Sequence, residues 1–267
     1  IQGGDICGII VQVGEGVEQD RIDTRTIVRS MQNNPTSNNP LEMQTMGSEF
    51  DGGFAQYCVA KAKESFPINC DWSDIELASI PISYSTAEGM LCRADVEKET
   101  ILITGASGGV GSAAIQLAKI RGATIIAQCS PDKASFLKDL GADQTVNRSD
   151  NLVKVLGKNS VDVVFDLVGG SSWPQLLDII KPGGKYVTSG AIAGPIVDLD
   201  LRSLYLKDLT LYGSTVNDPF VFENVIRYIE EGQIKPLVAQ TFPLKEIHKA
   251  QKVFMEKKFI GKIVLIP

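Results

Sequence analysis

Thr100-Ile-Leu-Ile-Thr-Gly-Ala-Ser-Gly-Gly-Val-Gly-Ser-Ala-Ala-Ile-Gln-Leu-Ala-Lys119 is the stretch whose reading decides the fold. Thr100–Thr104 is aliphatic and β-branched, which reads as a strand. Gly105–Gly111 crowds its glycines into a tight turn. Val110, Ala114, Leu117 and Ala118 then recur at helical spacing, so a helix opens as the turn ends.

The same alternation continues on both sides. Apolar runs at Ile101–Thr104, Thr124–Gln128, Gln144–Asn147, Val161–Val168, Lys185–Ser189 and Leu209–Tyr212 read as strands. Helical patterns at Val110–Ile120, Asp132–Leu140 and Trp173–Ile180 lie between them. Repeated strand–helix units predict an α/β fold, a doubly wound and mostly parallel sheet, over residues 72–232. Residues 1–71 differ. Short runs at Cys7–Val13, Arg25–Val28 and Phe54–Val59, broken by turns, predict antiparallel strands. Gln32–Pro40 is a polar surface loop. Residues 233–267 form a third part, with a short helix at Leu244–Met255 and a closing strand at Ile263–Ile266.

Composition narrows the function classes. The net charge of −6 argues against a nucleic-acid partner, which calls for a basic face. No apolar run approaches the roughly 20 residues that span a bilayer. The five cysteines are scattered and hold no Cys-x-x-Cys pair, so they build neither a disulfide framework nor a zinc cluster. Cysteine usage of this kind fits a reducing compartment, hence a cytoplasmic protein. Ile1-Gln-Gly-Gly-Asp5 has no initiator Met and no signal-peptide layout. The natural start is read as missing and targeting as unreadable.

A strand, a glycine turn and a helix together are the context of a dinucleotide fingerprint. Pyrophosphate needs backbone N–H donors at a helix N-terminus, with no Cβ in the way. Gly108 permits that approach, and Gly111 lets helix and strand pack closely. Ala106 stands where the first glycine of the usual pattern falls. Ala106, Ser107, Gly108, Gly109 and Val110 are therefore candidate cofactor contacts. The alternative is a tight turn with no ligand.

Which dinucleotide is read from the second strand. NAD sites place an acid at its end, on the ribose 2′-hydroxyl. Here the strand ends Ile126-Ala-Gln-Cys-Ser130, and Asp132 comes one turn late. Ser130, Lys133 and Arg148 offer donors that suit a 2′-phosphate, so NADP(H) is favoured. The plain alternative for Lys133 and Arg148 is ordinary solvated charge.

Further residues extend the pattern along the chain. Gly3-Gly4-Asp5-Ile-Cys-Gly8 with Val11–Val17, Gly52-Gly-Phe-Ala-Gln-Tyr57, Pro81 with Ser85-Thr-Ala87, Ala106–Gly111, Asp166-Leu-Val-Gly169, Gly213-Ser-Thr215 and Gly261-Lys-Ile-Val-Leu265 follow one another in order. The ordered set resembles the medium-chain dehydrogenases/reductases. That resemblance implies a GroES-like, mostly β catalytic domain flanking a Rossmann domain, with the nicotinamide between them. It also implies that Thr86, Val168 and the loop Gly190-Ala191-Ile192 contact cofactor, Val168 toward the adenine end and the loop toward the nicotinamide. Two departures accompany it. Members usually carry a longer stretch before the first motif, so the catalytic domain is read as truncated. Asp23-Thr-Arg25 stands where Gly-Asp-Arg is usual, which implies an altered turn.

Within the superfamily, zinc alcohol dehydrogenases carry His before the acid of the first motif and a later Cys ligand. Those positions here are Gly4 and Ile82, neither of which can bind zinc. Arg29–Asp51 lacks the four cysteines of a structural zinc lobe. No metal is expected, and the sequence is similar to the zinc-independent quinone oxidoreductase branch. That branch implies hydride transfer from NADPH to a quinone or an activated alkene such as an enone or enal.

Tyr84 is the candidate catalytic residue, able to bond a substrate oxygen or donate a proton. Its alternative is a packing tyrosine, with the proton coming from water. Asp5 reads as a structural acceptor rather than a catalytic carboxylate. Two other functions stay open: an enoyl-thioester reductase, and a non-catalytic NADPH-binding sensor. A homodimer paired at the edge strand near Leu209–Tyr212 is expected by analogy, with a small electron-poor molecule as substrate.

Overall fold

The apolar runs around the glycine turn become one parallel sheet in the computed structural model, which describes residues 1–267. The chain divides into two units: residues 1–85 with 216–267, and residues 86–215. The compact units change over at 85/86 and 215/216, inside the stretch 72–232 read from the sequence as the dinucleotide-binding part. Side-chain bonds explain why residues 72–85 and 216–232 pack with the first unit. Tyr84 donates to the Lys235 carbonyl, and Asn217 Nδ2 donates to the Ser85 carbonyl. Phe222 packs against Phe66. These contacts keep both flanking segments in the first unit.

In that unit, β1 (Cys7–Ile9) and β2 (Arg25–Val28) pair antiparallel. β3 (Met31–Asn33) and β4 (Met43–Thr45) form a hairpin around the polar loop. β5 (Ser65–Pro67) adds to β2 on its other side. Phe54–Val59 is not a strand. Gly53 and Phe54 donate to the Gly3 and Gln2 carbonyls, and beyond them the chain finds no ladder partner. Tyr57 and Val59 are left exposed. Asp23 takes the left-handed conformation at φ +65, so an aspartate adopts the backbone that glycine adopts without strain. Arg25 beyond it donates to the Cys70 and Trp72 carbonyls, which fixes the turn. Ser73 opens α1 (Asp74–Leu77) with a full capping box to Glu76. α2 (Pro81–Arg93) then runs across the boundary.

The second unit alternates strictly. β6 (Thr100–Ile103), α3 (Gly109–Arg121), β7 (Thr124–Cys129), α4 (Ala134–Leu140), β8 (Gln144–Asn147), α5 (Leu152–Leu156), β9 (Val161–Asp166), α6 (Trp173–Ile179), β10 (Ile180–Thr188), α7 (Leu201–Tyr205) and β11 (Thr210–Gly213) follow in order. All five strand pairs are parallel, in the order β11-β10-β9-β6-β7-β8. The chain starts centrally, winds outward through β7 and β8, and returns to the other side of β6. That reversal puts the switch point between β6 and β9, where such sheets bind ligands. Leu102, Ile126, Val164, Leu176, Leu177 and Tyr186 belong to the core on one face.

The last segment returns to the first unit through α8 (Pro219–Glu230), β12 (Val238–Pro243), α9 (Ile247–Glu256) and β13 (Lys262–Ile266). β12 and β13 pair in parallel, and β12 is an element the sequence pattern did not disclose.

Two carboxylates pin strand starts in the parallel sheet. Asp143 accepts from the Ile125 N–H at 2.8 Å and from Lys119 at 2.9 Å. Asp162 accepts from the Thr100 N–H at 2.9 Å and from Lys181 at 2.8 Å. Desolvation pushes each carboxyl up, but these donors outweigh it and hold both below the ordinary range. A depressed folded value adds stability above the unfolded pKa near 4, and that stability is lost as pH falls through the folded value. The urea midpoint is therefore expected to fall below about pH 4 and to fall less in D143N/D162N. An acid limb equally steep in the double variant would show that other groups dominate.

Candidate cofactor site

The turn after β6 is built for close approach. Gly108 N-caps α3 and brings no side chain to it, so the first amides of the helix, at Gly109, Val110 and Gly111, remain available as donors. Gly108 itself is exposed. A Cβ on Gly111 would lie 2.5 Å from the Gly105 carbonyl oxygen and 2.6 Å from Ala106 Cα. Helix and turn thus touch backbone to backbone. Ala106 is fully buried, and its N–H donates to the Gln128 carbonyl at 3.2 Å. It therefore shapes the turn rather than presenting a donor. Ser107 is half-buried at the open side. The cradle fits a pyrophosphate: open amides, positive helix end and no Cβ over it.

Ser130, Lys133 and Arg148 come together beyond β7. The Lys133 N–H donates to the Ser130 carbonyl at 3.1 Å, and the Arg148 N–H to the Cys129 carbonyl at 3.0 Å. At their centre is Asp132. The Ser130 hydroxyl, with the positive fields of Lys133 and Arg148, holds its carboxyl below the ordinary range. The donors picked out by sequence thus already face one anion, the exposed Asp132 carboxylate.

Val168 lies on the other side of the turn. Its Cγ2 would be 3.1 Å from a Cβ on Gly105. Ser130 follows β7 and Val168 follows β9, and these strands flank β6 from opposite sides. Val168 therefore lies across β6 from Ser130, on the side that also holds Gly190, Ala191 and Ile192. That loop is bonded to its neighbour: Ala193 N–H donates to the Val168 carbonyl, and Gly170 N–H to that of Gly194. Ala191 and Ile192 are exposed. Thr86 is buried on α2.

Tyr84 takes the packing role. It is 3% exposed, and its hydroxyl donates to the Lys235 carbonyl at 2.6 Å. Its proton is thus given to a backbone carbonyl in this structure, the arrangement of the packing alternative. Asp5 is structural, accepting from the Ile82 N–H at 2.7 Å and pairing with Lys262 at 2.6 Å. Gly4 and Ile82, separated in sequence, are brought together. A Cβ on Gly4 would lie 2.6 Å from Ile82 Cδ1. Neither carries a donor atom, and no group of three or more His, Cys, Asp or Glu gathers anywhere in the molecule.

One buried group was given no role by the sequence reading. Asp166 is fully buried at the end of β9 and accepts from Thr104 Oγ1, Tyr186 Oη and the Val168 and Gly169 amides. The sequence offered it in two ways, as the acid closing the apolar run Val161-Asp-Val-Val-Phe-Asp166 and as the first residue of the Asp166-Leu-Val-Gly169 motif.

Comparison with known proteins agrees with this architecture. Residues 1–70 match the alcohol dehydrogenase GroES-like domain, and residues 109–231 match the zinc-binding dehydrogenase family. A crystal structure of a protein from Sinorhizobium meliloti 1021, assigned to the alcohol dehydrogenases, superposes with a TM-score of 0.95 at 46% identity, covering 100% of this chain and 76% of that one. An acryloyl-coenzyme A reductase of Metallosphaera sedula is 28% identical over 99% of this chain and 82% of its own. The chloroplastic NADPH-dependent alkenal/one oxidoreductase of Arabidopsis thaliana is 28% identical over 100% of this chain and 64% of its own. The chain belongs to the medium-chain dehydrogenase/reductase superfamily, with a GroES-like domain and a Rossmann domain. It is an oxidoreductase of that family. No helix is long and apolar enough to cross a membrane.

Proposed function

We propose that the protein is an NADPH-dependent, zinc-independent reductase of electron-poor alkenes conjugated to a carbonyl, or of quinones. The observation that carries this reading is the pairing of Gly4 with Ile82. With no donor at either position, the chain provides no Lewis acid to polarise a simple ketone or alcohol. The substrate must then be electrophilic by itself. A bound reduced nicotinamide would supply the hydride.

The chain's own residues bind and orient. The amides of Gly109, Val110 and Gly111 hold the pyrophosphate, with Ser107 at its open side. Ser130, Lys133 and Arg148 take the 2′-phosphate. Val168, Gly190, Ala191 and Ile192 line the nicotinamide half, and Thr86 packs beneath. The proton that completes alkene reduction comes from solvent, since Tyr84 is committed to Lys235. One relative is named an acryloyl-coenzyme A reductase, which favours enoyl thioesters as a second reading. β11 has a partner on one side only, and exposed Leu201, Tyr205 and Leu206 precede it in sequence, which supports a homodimer. Cysteines left free throughout suit a cytoplasmic enzyme.

The test is a fluorescence titration with NADPH and NADH, followed by addition of 1,4-benzoquinone, butenone or acryloyl-coenzyme A. NADPH is expected to bind more tightly and to be oxidised by at least one of them. In K133A and R148A, NADPH affinity is expected to fall about 10-fold or more each, the loss of one charged hydrogen bond. NADH affinity should move less than twofold. Tighter NADH binding by the unaltered protein would sink the NADPH assignment, and binding without turnover of any acceptor would sink the reductase.

A further inference from the structure

The mechanism above leaves Asp166 unused, yet it is the most densely bonded carboxylate in the Rossmann unit. It has no cationic partner. Its Oδ1 accepts from Thr104 Oγ1 at 2.6 Å and from the Val168 and Gly169 amides at 2.9 and 3.1 Å. Its Oδ2 accepts from Tyr186 Oη at 2.6 Å. Thr104, having donated its proton to Asp166, accepts the Leu167 N–H at 2.9 Å. Three successive amides, Leu167 through Gly169, are thereby aimed inward, directly or through one hydroxyl.

The tie extends further. The Asp166 carbonyl accepts the Ser189 N–H at the start of the next loop. The Val168 carbonyl accepts from Ala193, and the Gly194 carbonyl from Gly170. Two loops, 167–170 and 189–194, are thus bonded into one wall whose anchor is a single side chain. That wall touches the glycine turn through Val168 against Gly105. Burial and the neighbouring Asp166 carboxylate push the Tyr186 phenol up, so its proton stays on and donates.

The geometry points to Asp166 as a positioning residue for the nicotinamide half of the cofactor, acting through the two loops it ties and held in place by Thr104 and Tyr186. This rests on the reading of the glycine turn as a dinucleotide site. It adds that the wall is preformed before cofactor arrives, by side chains that never touch it. Ordering a loop in advance removes part of the entropy that binding would otherwise have to supply. The anchor lies on the β9 side of the turn, away from Ser130, so its influence should stop at the pyrophosphate.

That asymmetry gives the test. In D166A, NADPH is expected to bind at least 10-fold more weakly, while 2′,5′-ADP, which lacks the nicotinamide half, keeps its affinity within twofold. Without any ligand, amide exchange at 168–170 and 191–194 should rise while exchange in β6 and β7 stays unchanged. Y186F, which removes one bond and no volume to speak of, should show the same pattern at roughly 2- to 4-fold, the loss of a fraction of one hydrogen bond. D166N can keep its oxygen on the amides and turn its NH2 to Tyr186, so it should restore most of the affinity. A general structural role would weaken 2′,5′-ADP and NADPH together and raise exchange across the sheet, and that result overturns the proposal. Unchanged exchange in D166A and Y186F overturns it as well. Should the unaltered protein bind neither nucleotide, the dinucleotide reading fails, and with it the cofactor role of Asp166.

Discussion

Gly111→Ala is expected to weaken NADPH binding by roughly 100-fold, equivalent to about 2.7 kcal/mol. The added Cβ would meet the Gly105 carbonyl at 2.5 Å and Ala106 Cα at 2.6 Å. Both are backbone atoms, so no side chain can swing away. Ala106 cannot retreat either, since it is fully buried and its N–H is bonded to Gln128. α3 must shift outward and carry the amides of Gly109 and Val110 with it. Overpacking of this kind destabilises by about 1–3 kcal/mol, so a folded variant with a displaced cradle is anticipated. Thermal unfolding would confirm folding, and a fluorescence titration would read the affinity. NADPH affinity within twofold of the unaltered protein would show that the turn does not hold pyrophosphate.

The second large effect concerns stability. Arg29 and Glu64 are both nearly fully buried, joined at 2.7 Å and 3.2 Å. Arg29 also donates to the Asn217 carbonyl at 3.0 Å, reaching the segment that returns from the Rossmann unit. Glu64→Gln should lower the unfolding free energy by about 3–5 kcal/mol, because it strands a buried guanidinium. Arg29→Met with Glu64→Leu should recover most of that loss, since neither charge then needs a partner. Urea denaturation measures both. A loss under about 1 kcal/mol in E64Q would mean that Asn217 and Asn33 satisfy Arg29 unaided.

The parallel sheet was legible because its strands are buried on both faces and advertise themselves as continuous apolar runs, as Val161–Phe165 does. The glycine turn was legible because backbone contact excludes every other residue at Gly111. Other features were hidden by their physical nature. β12 is half exposed and pairs with a strand near the chain end, so its pattern carries little apolar signal. Phe54–Val59 carries the apolar residues of a strand without a ladder partner. Tyr84 was picked out because it stands two residues before Thr86, and its bond to the distant Lys235 carbonyl is a contact that no local pattern announces. The role of Asp166 was hidden because two of its donors, Thr104 after β6 and Tyr186 on β10, lie far from it in sequence. The packing of residues 72–85 and 216–232 was hidden for the same reason: long-range bonds from Ser85, Asn217 and Lys235 decide which compact unit a segment joins.

Gly4 and Ile82 also couple two distant positions of the sequence. The Ile82 methyl occupies the space that a side chain at position 4 would enter. That methyl ends a flexible side chain, so an alanine at position 4 asks for a rotamer change at Ile82, while a bulkier residue asks for a smaller one there. Substitutions at the two positions are therefore expected to be non-additive, each setting the room left to the other.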